Sequence, residues 1–118
     1  MDSFKIAESE LNGISILTFD GYCAKEGGAA LKDKTHEILQ KEKCRIILDF
    51  TKCSIISSPG IAAILEVVME VIDDCKGELC IVGLDKSKKH FLQMTGVIPL
   101  AKTAATVEEA CVLVKTKS

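Results

Sequence analysis

Apolar and polar residues alternate along the first part of the chain and then change period. Phe4–Glu10 alternates moderately and Ile14–Phe19 clearly, with Ile14 and Ile16 set against Ser15, Leu17 and Phe19. Asn12-Gly13 lies between the two runs. Two alternating runs joined by Asn-Gly predict a β-hairpin, with strands over 4–10 and 14–20. Asp20-Gly21-Tyr22 ends the hairpin, and Gly27-Gly28 delays the helix that follows. In that helix Ala29, Leu31, His36, Ile38 and Leu39 mix with charges up to Glu42, as in a surface helix. Lys43–Phe50 is a third strand. Its unbroken centre, Ile46-Ile47-Leu48, predicts burial on both sheet faces.

From Thr51 a polar turn leads to Ser57-Ser58-Pro59-Gly60, and a long apolar segment starts there. Ile61, Ile64, Leu65, Val68, Val71 and Ile72 recur at helical spacing, so a helix is expected over Pro59–Cys75, ended by Lys76-Gly77. Ser58 is the expected N-cap, and Pro59 the first helical residue, where its missing N–H costs nothing. Glu78–Gly83 reads as a fourth strand and Asp85–Met94 as a short helix stopped by Thr95-Gly96. Val97–Leu100, broken by Pro99, reads as a fifth strand. Thr106 with Glu109 forms a capping box for a last helix that buries Val107, Ala110, Cys111 and Val114. Met69 and Met94 read as core filling. The order β-β-α-β-α-β-α-β-α predicts one α/β domain over 1–118. It has a mostly parallel, mixed five-stranded sheet, an N-terminal hairpin and about four helices joined by right-handed crossovers.

Composition narrows the chemistry. A chain of 118 residues, 47% hydrophobic and 27% charged, buries enough surface to fold without a metal or disulfide staple. A net charge of -2 argues against direct nucleic-acid binding, which needs a basic face. Residues 1–20 lack a basic region followed by an apolar stretch and a cleavage site. The longest apolar run, Ile61–Met69, is broken by Glu66 and too short to span a bilayer. The expectation is a cytoplasmic protein with no membrane partner. The six cysteines have no C-x-x-C spacing, which argues against zinc and against a disulfide framework. Cys44, Cys80 and Cys111 read as small buried hydrophobes.

Several residue blocks together carry a resemblance. Leu48-Asp49-Phe50 through Ile56-Ser57-Ser58-Pro59-Gly60-Ile61, with Phe19-Asp20-Gly21, Ile81-Val82-Gly83 and Phe91-Leu92-Gln93-Met94-Thr95-Gly96, resemble the STAS domains of small bacterial anti-anti-sigma factors. The resemblance runs from Phe4 to Val114. It implies an anti-sigma factor antagonist, not an enzyme, that binds an anti-sigma factor serine/threonine kinase and needs no cofactor. The kinase would phosphorylate Ser58, a cognate phosphatase would reverse this, and the unphosphorylated form would capture the kinase. The implied partner-binding surface is Thr51, Lys52, Cys53, Ser54, Ser57, Ser58 and Gly60. Three positions depart from the family pattern. Ser57 stands where an Asp is usual, Pro59 where a small residue follows the serine, and Cys23-Ala24 where an Asp follows the hairpin glycine.

A phosphate on Ser58 would sit at a helix N-terminus, where free N–H groups and the helix dipole favour an anion. Its effect would fall on the partner, through repulsion and desolvation in the interface. Asp49 reads as a carboxylate that caps the turn. Ser54 and Ser57 read as solvated turn residues, and as lesser candidate acceptors. An enzyme is the weakest reading: near the turn only Asp49, Lys52 and Cys53 titrate, His36 and His90 lie on other elements, and no phosphate-binding loop pattern occurs. The alternative to the switch is a divergent STAS scaffold that is not phosphorylated and binds a small ligand or another regulatory protein.

Overall fold

The computed structural model describes residues 3–114, with the backbone alone at Pro99. The two ends of the domain expected over 1–118 therefore lie outside the described residues. Strands β1 (Phe4–Leu11) and β2 (Ile14–Cys23) form the hairpin. Asn12 and Gly13 both have positive φ, 53° and 80°, the pair a type I′ turn requires. Then come α1 (Lys25–Gln40), β3 (Arg45–Ile56) and α2 (Ser58–Met69), the last continued by a π-helical segment, Glu70–Asp74. The chain closes with β4 (Glu78–Val82), α3 (Lys86–Met94), the single turn α4 (Val97–Leu100), β5 (Lys102–Ala104) and α5 (Val107–Leu113).

The sheet order is β1-β2-β3-β4-β5. Only the hairpin is antiparallel; β2–β3, β3–β4 and β4–β5 are parallel. This is the mixed five-stranded α/β sheet that the alternation predicts. Central β3 is buried on both faces, with Ile46, Ile47 and Leu48 fully enclosed. Ile46 and Leu48 pack with Leu17, Phe19, Leu31, Ile38, Ile64, Val67 and Val68 in the core under α1 and α2. Ile47 packs on the opposite face with Ile14, Ile16, Cys80, Val82, Ala110 and Val114, under α5.

Four expectations about the elements are corrected. Strand β3 does not end at Phe50 but runs on to Ile56, because β2 also runs on and pairs with it through Asp20–Lys52, Gly21–Cys53, Tyr22–Ile55 and Cys23–Ile56. The residues read as a turn are thus an extended ribbon, polar because much of it faces solvent. Gly27 and Gly28 do not delay α1; they lie inside it and are buried. Val97–Leu100 is not a strand. Val97 is fully buried and the Ala101 N–H donates to the Val97 carbonyl at 2.8 Å, closing a turn that spends the groups a strand would offer; β5 follows it. Met69 and Met94 are not core residues, being 46% and 71% exposed. Among the cysteines, Cys23, Cys53 and Cys80 are buried, whereas Cys44 and Cys111 are half-buried. Among the described residues no helix is long and apolar enough to cross a membrane.

Candidate functional site

The β2–β3 ribbon and the start of α2 meet at the carboxyl end of the parallel strands, where open α/β sheets present their binding surfaces. The two strands shift register between Thr18 and Asp20 and again between Gly21 and Tyr22. Such bulges bend a strand pair and re-aim its side chains. Asp49 starts the ribbon: its Oδ1 accepts the Thr51 N–H at 2.9 Å and the Thr51 hydroxyl at 2.6 Å. This carboxylate fixes local backbone, as expected of a capping residue. Further along, the Ser54 hydroxyl donates to the Gly21 carbonyl at 3.3 Å, tying β3 to β2.

Ser57, not Ser58, is the N-cap of α2. Its Oγ accepts the Gly60 N–H and donates to the Cys23 carbonyl, both at 3.4 Å. The Ser57 N–H also donates to the Cys23 carbonyl, at 2.9 Å. Ser58 is the first helical residue and Pro59 the second, so the helix starts one residue earlier in the chain than the capping pattern predicts. Ser57 wins because its extended backbone (φ -85°, ψ 172°) aims its side chain at the first turn while its own N–H still pairs with β2. The exposed Ser58 hydroxyl is therefore not used by the cap.

This alters the anion argument. Pro59 has no N–H, the Gly60 N–H is taken by Ser57 Oγ, and the Ile61 N–H donates to the Ser57 carbonyl at 2.8 Å. A phosphate on Ser58 would gain from the helix dipole, but would reach the Gly60 N–H only by displacing the Ser57 hydroxyl from a long bond.

Of the residues expected on the surface, Thr51, Lys52, Ser54 and Ser58 are exposed and Ser57 is half-buried. Cys53 and Gly60 are buried and lie beneath it. Burial raises the Cys53 thiol pKa, the reverse of an activated nucleophile. Gly60 packs on the end of β2, where a Cβ would collide with the Cys23 carbonyl. The pattern did not single out Tyr22 and Ile55. They are register partners across the ribbon, 38% and 48% exposed, and they add an apolar rim. The run Ser54-Ile55-Ile56 carried the signal, but it was hidden by the assignment of those residues to a turn. The start of α3 flanks the same ribbon. Asp85 caps it by accepting the Lys88 N–H at 2.8 Å and pairs with Lys88 Nζ at 2.7 Å. The Lys88 side chain thereby holds the Asp85 carboxyl below its ordinary range. His36 lies on α1, its Nδ1 2.9 Å from Glu70 Oε2. Among the described residues, no group of three His, Cys, Asp or Glu side chains is placed to hold a metal ion.

The family model described as STAS domain matches residues 5–110. No curated protein is matched at the level of sequence. Among solved structures, the chain is similar to an anti-sigma factor antagonist from Mycobacterium paratuberculosis, with TM-score 0.84 and 14% identity, over 98% of this chain and 97% of that one. It is also similar to the anti-sigma factor antagonist SpoIIAA in its unphosphorylated form (TM-score 0.70, 15% identity, 93% and 94% covered). The Bacillus cell fate determinant SpoIIAA in its phosphorylated form is similar as well (TM-score 0.72, 18% identity, 96% and 100% covered). At these identities the structural likeness is one of fold.

Proposed function

The chain belongs to the STAS domain family, and from that premise we propose that it is an anti-sigma factor antagonist switched by phosphorylation of Ser58. In this reading it is a regulatory binding module. It captures a serine-kinase-type anti-sigma factor on the surface made by Thr51, Lys52, Ser54 and the start of α2. The kinase modifies Ser58 and a cognate phosphatase restores it. The observation that carries the reading is the position of Ser58: exposed, on the first turn of α2, with its hydroxyl left free by the Ser57 cap. A charge near −2 placed there enters the interface without dismantling the helix. The anti-sigma factor antagonists among the similar folds support the same role.

A second reading is favoured by the cap itself. Where relatives carry an acidic residue, this chain has Ser57, which is committed to Gly60 and Cys23, and Pro59 follows Ser58. A kinase that reads those positions would pass this chain by, leaving an unphosphorylated STAS scaffold that binds a regulatory protein or small ligand. Incubation with a candidate anti-sigma kinase and ATP, followed by mass spectrometry, separates the two. The switch predicts phosphate on Ser58 and kinase binding weakened about ten- to a hundredfold by Ser58→Asp. An unmodified Ser58, with Ser58→Asp binding as tightly as the native chain, leaves the scaffold.

A further inference from the structure

The chain leaves the carboxyl ends of β4 and β5 towards opposite faces of the sheet. After β4 it crosses to α3, whose Leu92 joins the core under α1 and α2. After β5 it crosses to α5, whose Ala110 joins the core on the other face. The two strands are parallel neighbours, so this divergence opens a crevice between their ends. Open α/β sheets hold ligands at such points of reversal. The crevice has a volume of about 320 Å³ and is lined by Leu84, Lys89, Thr103, Ala104, Ala105 and Glu109. That size is at the lower end of the range for small-molecule sites.

The backbone beside the crevice is held on both sides. The Gly83 N–H donates to the Ala104 carbonyl at 3.4 Å. Gly83 has φ 80°, and a Cβ there would stand 2.6 Å from the Thr51 backbone nitrogen, so the end of β4 is pressed between β5 and the β2–β3 ribbon. Two opposite charges line the crevice. Lys89 is exposed on the first turn of α3, its N–H donating to the Asp85 carbonyl at 2.9 Å. Glu109 is exposed on the first turn of α5. In the capping box expected of Thr106 and Glu109, the Glu109 carboxylate would return to the Thr106 N–H. Only half of that box forms: the Glu109 N–H donates to Thr106 Oγ1 at 3.2 Å, while Glu109 lines the crevice. Among the described residues, Lys89 and Glu109 enter no ion pair, with each other or with another side chain.

We propose that this crevice binds a small zwitterion, a free amino acid, with its carboxylate on Lys89 and its ammonium on Glu109. A simple anion is attracted by Lys89 and repelled by Glu109, and a simple cation meets the reverse. A molecule that carries both charges satisfies both side chains at once, through charge-assisted hydrogen bonds. Thr103 adds a hydroxyl, and Ala104 and Ala105 keep the walls small enough to admit the ligand backbone. The site stands whether or not Ser58 is phosphorylated.

The test titrates the isotope-labelled full chain with glycine, L-serine, L-glutamine and L-leucine at millimolar concentration and follows its amide resonances by NMR. Propionate and ethylammonium, which carry one charge each, are titrated in parallel. At least one amino acid should shift Leu84, Lys89, Ala104, Ala105 and Glu109 saturably, and neither single-charge ion should. Lys89→Gln and Glu109→Gln should each weaken that binding about tenfold. Both residues are exposed, and unchanged resonances away from the crevice report that each variant is folded. The proposal is overturned if none of the amino acids shifts these resonances, or if propionate or ethylammonium shifts them equally. Either variant binding as tightly as the native chain overturns it as well.

Discussion

The first turns of α1 and α2 pack against each other, Gly28 on one side and Gly60 and Ala63 on the other, yet only α2 carries a side-chain cap. At α2, Ser57 accepts the Gly60 N–H and binds the end of β2 through the Cys23 carbonyl. At α1 the N-cap is Ala24, which has no polar side chain, and the helix begins with the Gly28 N–H donating to the Ala24 carbonyl at 2.7 Å. One start is specified by its own residues. The other is held by what surrounds it: at Gly27 a Cβ would stand 2.7 Å from the Phe19 ring, and at Gly28 2.7 Å from the Ala63 Cβ. The candidate switch sits on the locally specified start. In the proposed switch, a modified Ser58 would act outward on a partner while its helix stays put.

The largest test of this contrast is Gly60. Its missing Cβ is what lets α2 approach the end of β2, and the obstructing atom is the Cys23 backbone carbonyl, which cannot rotate away. Gly60→Ala should destabilise the domain by about 3 kcal/mol, despite alanine's better helix propensity. Urea unfolding measures it. A loss under about 1 kcal/mol would mean that the two elements separate easily, and that the α2 start is not held to the sheet.

The same contrast explains what was legible in the sequence. Periodicity and turn residues located the hairpin, both-faced burial of β3, and α2, because each of those signals is local. The end of β3 was not legible. Thr51–Ile56 lacks a clear alternation because, where it pairs with the end of β2, only Cys53 is buried and most of the remaining residues face solvent. The start of α1 was lost for the opposite reason. Gly27 and Gly28 look like breakers by propensity, but they are dictated by Phe19 and Ala63, contacts that no local pattern announces. Within the site, Ser57 and Ser58 both stand out in the sequence, but the cap expected at Ser58 belongs to Ser57. Either serine could cap a helix that starts near Pro59. Only the Cys23 carbonyl, across the ribbon, decides that Ser57 does.

The serines provide the next test. Ser57→Ala removes the cap and should cost about 0.5–1 kcal/mol, the lower part of the usual range because both Oγ bonds are 3.4 Å long. Ser58→Ala, on an exposed residue outside the cap, should change stability by less than about 0.3 kcal/mol. Parallel urea curves for the two variants read the difference. Equal losses would mean that the two hydroxyls share the cap, and Ser58 would then be less free to serve as a phosphoacceptor.

The only gain is expected at the uncapped start. Ala24 has the extended backbone of an N-cap (φ -115°, ψ -154°) without an acceptor, and its side chain is half-buried. Ala24→Ser supplies a hydroxyl that can accept from the N–H of Glu26 or Gly27, and should stabilise the domain by about 0.5 kcal/mol. The urea midpoint should rise with an unchanged slope. If the midpoint instead falls, the first turn of α1 has no orphan N–H to satisfy, and its contacts with Phe19 and Ala63 already set that end completely. If it rises as expected, α1 is under-capped at Ala24. Close packing of glycines has then replaced the cap as the device that fixes this helix beside the candidate switch.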